Sequence, residues 1–141
     1  YIEASSEMIN LAKQKNEAHQ NQVSFIHGTE DSIPDEIRFD FVVANFFLDL
    51  FPSISLRTVI GKIKTSLHPA GFLLATDFVV TEKAWQRLLL KVMYFFFRIM
   101  CGIESKNLPA WQAELRASGL HEVRSRLFYR DFIKTALFEK S

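Results

Sequence analysis

The stretch "FDFVVANFF", residues 39–47, narrows the possible folds more than any other part of the chain. It is a continuous apolar run rather than an alternating one, which is how a strand buried on both faces of a sheet reads. A second run of the same kind, "FLLATDFVV", begins at Phe72. Between them "SLRTVIGKIKTSL" sets Leu56, Val59, Ile60, Ile63 and Leu67 on one helical stripe. Apolar strands joined through an amphipathic helix predict a parallel α/β sheet covered by helices.

The flanking segments extend this rhythm. In "YIEASSEMINLAKQK" a strand end runs into a helix with Ser5 or Ser6 as N-cap, Glu7 in its first turn, and Met8, Ile9, Leu11 and Ala12 at helical spacing. "VSFIHG" is a short strand closed by Gly28, and "SIPDEIRF" a loop. After the second apolar run the pattern changes: Glu82 to Cys101 is a long apolar helix, "LPAWQAELRASG" a shorter one stopped by Gly119, and "HEVRSRLFYRDFIKTALFEKS" two strands meeting near Arg130 and Asp131. In the first of these, Val123, Ser125, Leu127 and Tyr129 alternate with Arg124, Arg126 and Phe128, so one face of that sheet margin is expected to be solvated.

A chain of 141 residues with 48% hydrophobic content suits one domain with a sizeable core. Fourteen phenylalanines suggest a thick core or apolar surface that a ligand or partner covers. One cysteine, Cys101, leaves no disulfide framework within the chain, and no His and Cys cluster has the spacing of a structural zinc site. Up to Asp49 there are nine acids against three Lys and Arg; from Leu50 onward, seven against fourteen. Because those cations are spread over several elements, no nucleic-acid binding is expected. Without a long apolar span or a signal-like start, a cytoplasmic protein is the expectation.

In an open parallel sheet, ligands sit beyond the carboxyl ends of the strands. Four such tips are visible. Glu3 follows the opening strand, where a carboxylate can accept hydrogen bonds from both ribose hydroxyls or simply favour a helix N-terminus. Thr29, Glu30 and Asp31 follow the next strand, either as acceptors for an exocyclic amine or as a polar turn. Asn45 ends the first apolar run, before Phe46, Phe47 and Asp49, and Asp77 lies near the end of the second.

The order of these pieces resembles a class I S-adenosylmethionine-dependent methyltransferase of the small-molecule group, whose second strand reads "Val-x-Gly-x-Asp-x-Ser-x-x-Met". Here "YIEASSEM" matches with Glu3 as the acid and Met8 as the methionine, "FDFVV" resembles the "Phe-Asp-x-Val" of the fourth strand, and "SLHPAGFLLATDF" the "Leu-x-Pro-Gly-Gly" turn and fifth strand. "LPAWQAELRASGLHEVR" looks like the following helix and sixth strand. The resemblance implies a doubly wound, mostly parallel sheet with an antiparallel C-terminal strand, in one domain spanning 1–141 with a Phe-rich helical insertion at about 82–118. It implies S-adenosylmethionine as cofactor, Glu3 as the ribose acid, Ala4 and Met8 against adenine, Thr29, Glu30 and Asp31 at the adenine edge, and Asn45 and Phe46 beside the methionine portion. Asp49 and Asp77 are the candidate bases if an acceptor must lose a proton.

Two departures from the pattern are local: Thr29 stands where relatives often carry Asp, and Ala70 replaces a turn glycine. The third is larger. None of the five glycines forms the G-x-G cluster of the family's first loop, so the first strand and that loop are expected upstream of Tyr1, and these residues alone to bind cofactor poorly. The expected reaction is methyl transfer to a small, apolar acceptor. One competing reading is a non-catalytic α/β module that uses its pocket or Phe-rich helix to contact protein or lipid; a nucleotide-binding oxidoreductase is another.

On the long helix Lys83, Arg87, Lys91, Tyr94 and Arg98 fall within about 80° of one another at ~100° per residue. That stripe suits a core helix with one wet face, a wall for an apolar substrate, a homodimer face, or a helix on an anionic membrane surface.

Overall fold

The computed structural model describes residues 1–79, 82–101 and 108–141. It divides into two compact units, 1–36 and 37–141.

The first unit contains β1 (Ile2–Glu3), α1 (Ser6–Lys15) and β2 (Ile26–His27), with 3-10 turns at Glu17–Gln22 and Glu30–Ser32. β1 and β2 are parallel, with Ile2 opposite Ile26 and Glu3 opposite His27. Ser5 is the N-cap of α1: its Oγ accepts the Met8 N–H at 3.3 Å, satisfying a donor that the helix itself cannot. Ile9 is the one large apolar side chain fully buried among this unit's described residues.

The second unit is built on a four-stranded mixed sheet of order β3-β4-β6-β5. β3 (Phe39–Asn45) and β4 (Leu67–Phe78) are parallel and joined by α2 (Ser53–Ser66). α3 (Ala84–Cys101) and α4 (Trp111–Ala117) follow, then β5 (Leu120–Phe128) and β6 (Ile133–Lys140), an antiparallel hairpin whose second strand pairs antiparallel with β4. β5 therefore runs in the direction of β3 and β4, and all three have their carboxyl ends on one side of the sheet.

Leu56, Val59, Ile60 and Ile63 of α2, Leu73 and Ala75 of β4, Trp111 and Leu115 of α4, and Ala136 and Phe138 of β6 form the core, each buried. Full burial of each large side chain contributes about 1.5–3 kcal/mol. Arg57 of α2 grips Glu114 of α4 with two hydrogen bonds, at 2.8 and 3.1 Å, and Lys140 Nζ caps α2 by donating to the carbonyls of Lys64 and Leu67. α4 ends as its glycine requires: Gly119 has φ +88 and donates its N–H to the Arg116 carbonyl. Burial would raise Glu122 of β5, but Lys134, Ser125 and Arg116 hold its carboxylate down to about 2.

The sheet departs from the sequence expectation in one respect. β4 alternates: Gly71, Leu73, Ala75 and Asp77 are buried while Phe72, Leu74, Thr76 and Phe78 are half-exposed. On β3 Phe41 and Val43 are exposed, and only Ala44 is fully buried. The apolar runs are thus fully covered on one face only, because α2 and α4 pack together on the same side. β5 is open on both faces beyond Leu120, with a bulge between Glu122 and Arg124, so the solvated margin is wider than the single face expected. The long helix begins at Ala84; the side chains of Tyr94 and Arg98, and residues 102–107 of the expected insertion, lie outside the described residues.

Candidate functional site

In the first unit the parallel pairing of β1 and β2 puts Glu3 and Ala4 at one strand tip and Gly28 to Asp31 at the next. Glu3 Oε1 accepts the Ser5 N–H at 2.9 Å and Oε2 the Tyr1 hydroxyl at 3.4 Å. The carboxylate thus sits at the strand tip and at the start of α1 together, and Ser5 fixes its orientation. The Ala4 carbonyl meets His27 Nε2 at 2.9 Å across the two tips, and Met8, one turn into α1, is half-exposed. Thr29 Oγ1 accepts the Asp31 N–H at 3.4 Å and so caps the turn carrying Glu30 and Asp31. That turn folds tightly onto Gly28, where an added Cβ would stand 2.0 Å from Ser32 Oγ. All six residues expected to hold the nucleoside lie at the carboxyl end of this unit's parallel strands.

In the second unit the carboxyl ends of β3 and β4 lie side by side, Asn45 opposite Thr76. Asn45 is exposed at its tip. Phe46 follows in the left-handed region at φ 49, its N–H donating to the Thr76 carbonyl at 2.7 Å. A non-glycine residue held there is strained, and such strain concentrates at ligand sites. The turn Leu48–Leu50 comes next, and Asp77 organises it: Oδ2 accepts the N–H groups of Leu48 at 2.9 Å and Asp49 at 3.1 Å. Asp77 is fully buried and Asp49 nearly so. Burial and the neighbouring Asp49 carboxylate push Asp77 up to about 8, against the lowering effect of the Phe78 and Asp49 N–H groups. Burial and the Asp49 charge thus favour the protonated form of Asp77 at neutral pH.

The aromatic wall of this rim was not legible from the strand tips alone. Phe46 and Phe78 have ring centroids 5.3 Å apart, Phe78 and Phe132 5.0 Å, and Phe132 and Trp85 of α3 6.2 Å. The row thus runs from the tip of β3 past β4 to the β5–β6 turn and the start of α3. Trp111, buried at the start of α4, donates its indole N–H to the Phe78 carbonyl at 2.8 Å. Beside them lies a shallow cavity of about 280 Å³ lined by Phe78, Val79, Leu108, Pro109, Trp111 and Arg116. The nearest sequence signal was the position of Phe78 directly after Asp77; that Phe132 and Trp85 join it depends on hairpin and helix placement.

Comparison with known proteins shows the family and the fold. A family model described as "Methyltransferase domain" matches residues 1–71. The malonyl-[acyl-carrier protein] O-methyltransferase of Priestia megaterium is 36% identical over 77 residues, which span 55% of this chain and 27% of that protein. Among solved structures, the N-methyltransferase NodS from Bradyrhizobium japonicum WM9 in complex with S-adenosyl-L-homocysteine superposes with a TM-score of 0.72 at 17% identity, covering 99% of this chain and 64% of that one. A putative sarcosine dimethylglycine methyltransferase from Galdieria sulphuraria gives 0.74 at 12% identity, covering 99% and 68%. The structural likenesses show the shared Rossmann-like fold, and the family model, matching half of the chain from β1 into β4, assigns it: the chain belongs to the methyltransferase domain family, the class I S-adenosylmethionine-dependent methyltransferases.

Proposed function

We propose that this chain takes part in methyl transfer from S-adenosylmethionine to a small, apolar acceptor. The observation that carries the reading is the aromatic row Phe46–Phe78–Phe132 at the carboxyl end of the second unit's parallel strands, where this fold takes its ligands. One domain over 1–141, with the segment at 82–118 shaping the acceptor side, goes with this proposal.

When bound, S-adenosylmethionine supplies a methyl group already activated on a sulfonium. The residues present fit it. Glu3 is oriented by Ser5 to accept ribose hydroxyls, with Ala4 and Met8 exposed for packing against adenine. Thr29, Glu30 and Asp31 form a capped turn at the adenine edge, and Asn45 and Phe46 would lie along the methionine portion. The aromatic row would align an apolar acceptor and exclude water from it.

The relatives include an O-methyltransferase and an N-methyltransferase, so the atom methylated is not set by kinship. Asp49 and Asp77 matter only where the acceptor must lose a proton; Asp77, pushed up to about 8 by burial and by Asp49, would be the stronger base once ionised. A carboxylate acceptor would need no base, and its rate would be flat between pH 6 and 9, whereas a hydroxyl or amine acceptor would show a rising limb that Asp77→Asn abolishes.

The test is calorimetric titration of the full-length protein with S-adenosylhomocysteine. Glu3→Ala is expected to weaken binding about tenfold or more, as loss of a charge-assisted hydrogen bond does. Affinity unchanged by the substitution would remove Glu3 from the site, and no binding to the parent protein would remove the cofactor reading.

A further inference from the structure

α3 departs furthest from the rule that large apolar side chains face inward. Trp85 is 51% exposed, Leu88 64%, Leu89 41%, Val92 56% and Phe95 67%. At about 100° per residue these five lie within about 120° of one another. Gln86 and Leu90, the buried positions, lie on the opposite side. This helix therefore exposes a broad apolar face alongside its cations, unlike a core helix that shows solvent only a polar stripe.

Cations border that face. They do so on one side only: Lys91 lies about 40° beyond Phe95 and Arg87 about 40° further round, their long side chains able to reach back toward the face, and with Ala84 and Leu88 they line a shallow depression of about 400 Å³. Nothing acidic occurs from Ala84 to Cys101. The helix is moored at its start, where Lys83 Nζ donates to the Arg130 carbonyl and meets Asp131, and the Gln86 amide donates to the Arg130 carbonyl at 3.2 Å. Tyr129, at the tip of that hairpin, is largely exposed. Among the described residues no helix is long and apolar enough to cross a membrane.

A second copy of this face would bring the same cations and no anions, so self-association leaves the charge unmatched. An anionic bilayer offers negative headgroups with apolar chains a few ångströms beneath, and so matches both parts of the pattern. We propose that α3 lies flat on an anionic lipid surface, Trp85, Leu88, Val92 and Phe95 entering the acyl boundary while Arg87 and Lys91 meet the headgroups.

The experiment is co-sedimentation of the full-length protein with phosphatidylcholine vesicles, with or without phosphatidylglycerol, at low and high salt. Binding to the mixed vesicles is expected, weakened by salt, with a blue shift of tryptophan emission that Trp85→Phe removes; the buried Trp111 stays constant. Arg87→Glu with Lys91→Glu, and separately Leu88→Ser with Phe95→Ser, should each lower partitioning about tenfold or more. All four side chains are exposed, and circular dichroism melts confirm folding; Arg87→Gln with Lys91→Gln serves if charge reversal unfolds the protein. Failure to bind, or equal binding to both vesicle types, overturns the proposal. So does a vesicle-free dimer dissolved by the same substitutions, or binding to soluble polyglutamate as tight as to vesicles, which would point to an acidic protein instead.

Discussion

The two units hold the side chains at the carboxyl ends of their parallel strands by different means. In residues 1–36 the strands are two residues long, one large side chain is fully buried among those described, and Glu3, Thr29 and His27 are held by individual hydrogen bonds to backbone groups. In residues 37–141 strands of 7 to 12 residues carry a continuous core, and Phe46 and Asp77 are held by packing and by burial. The first arrangement orients polar groups with little hydrophobic support, so its stability is expected to be local and its groups adjustable. The second fixes an apolar wall rigidly, and small volume changes there are felt throughout the unit.

The largest test of that difference is a pair of cavities. Leu73→Ala, in the centre of β4, is expected to lower stability by about 2–5 kcal/mol in urea unfolding. Ile9→Ala should instead raise hydrogen exchange within residues 1–36 and leave protection of 37–141 unchanged; equal loss in both units would erase the distinction. Next comes pH. Asp77 titrates near 8 in the folded chain against 3.8 ordinarily, so its contribution is fully present below about pH 4 and is lost as pH rises through 8. Stability of the second unit should fall over that range by an amount of the order of a few kcal/mol. Asp77→Asn keeps an acceptor oxygen for Leu48 and Asp49, and should flatten the profile and raise the melting temperature at pH 8. Glu122 acts at the other end: its pKa of about 2 gives a contribution that is lost only as pH falls below the ordinary carboxylate range, leaving the interval from 5 to 8 to Asp77.

Ser5→Ala removes the acceptor for the Met8 N–H and should cost α1 about 1 kcal/mol, seen as faster exchange in its first turn. Ser5 orients Glu3 through its backbone N–H, which alanine keeps, so affinity for S-adenosylhomocysteine should change little. The smallest effect is a gain. Ala70 has φ 59 in the turn where the family pattern has glycine, and Ala70→Gly should raise the melting temperature, relieving up to about 1 kcal/mol of left-handed strain. No gain would mean that the loss of backbone freedom offsets it.

Much of the fold was legible because apolar runs report burial directly. "FDFVVANFF" and "FLLATDFVV" became neighbouring parallel strands, and the stripe from Leu56 to Ile63 became the buried face of α2. What a run of apolar residues does not report is which side is covered. Read as buried on both faces, β4 gave no reason to put Asp77 with Leu73 and Ala75, although two-residue alternation sets all three on the buried side. Its role in holding the Leu48–Leu50 turn was missed for that reason, and it looked like an ordinary turn acid. α3 misled in the same way, since angular spacing separates two faces without saying which meets solvent. The tip positions of the first unit were legible because they follow strand ends in sequence. The aromatic row draws on three distant segments, and a linear pattern contains no sign of that meeting.

Tyr129, Arg130 and Asp131 stand in succession at φ 51, 58 and 69, a tight corner made without glycine, and Lys83 and Gln86 clasp its carbonyls. Such a corner behaves like a sprung hinge whose catch is the opening turn of a neighbouring rod. Whatever steadies the rod also keeps the hinge wound, and slackening the hinge with asparagine or glycine would let the rod swing. The corner and the start of the rod are thereby joined through two side chains, next to the contact of Trp85 with Phe132.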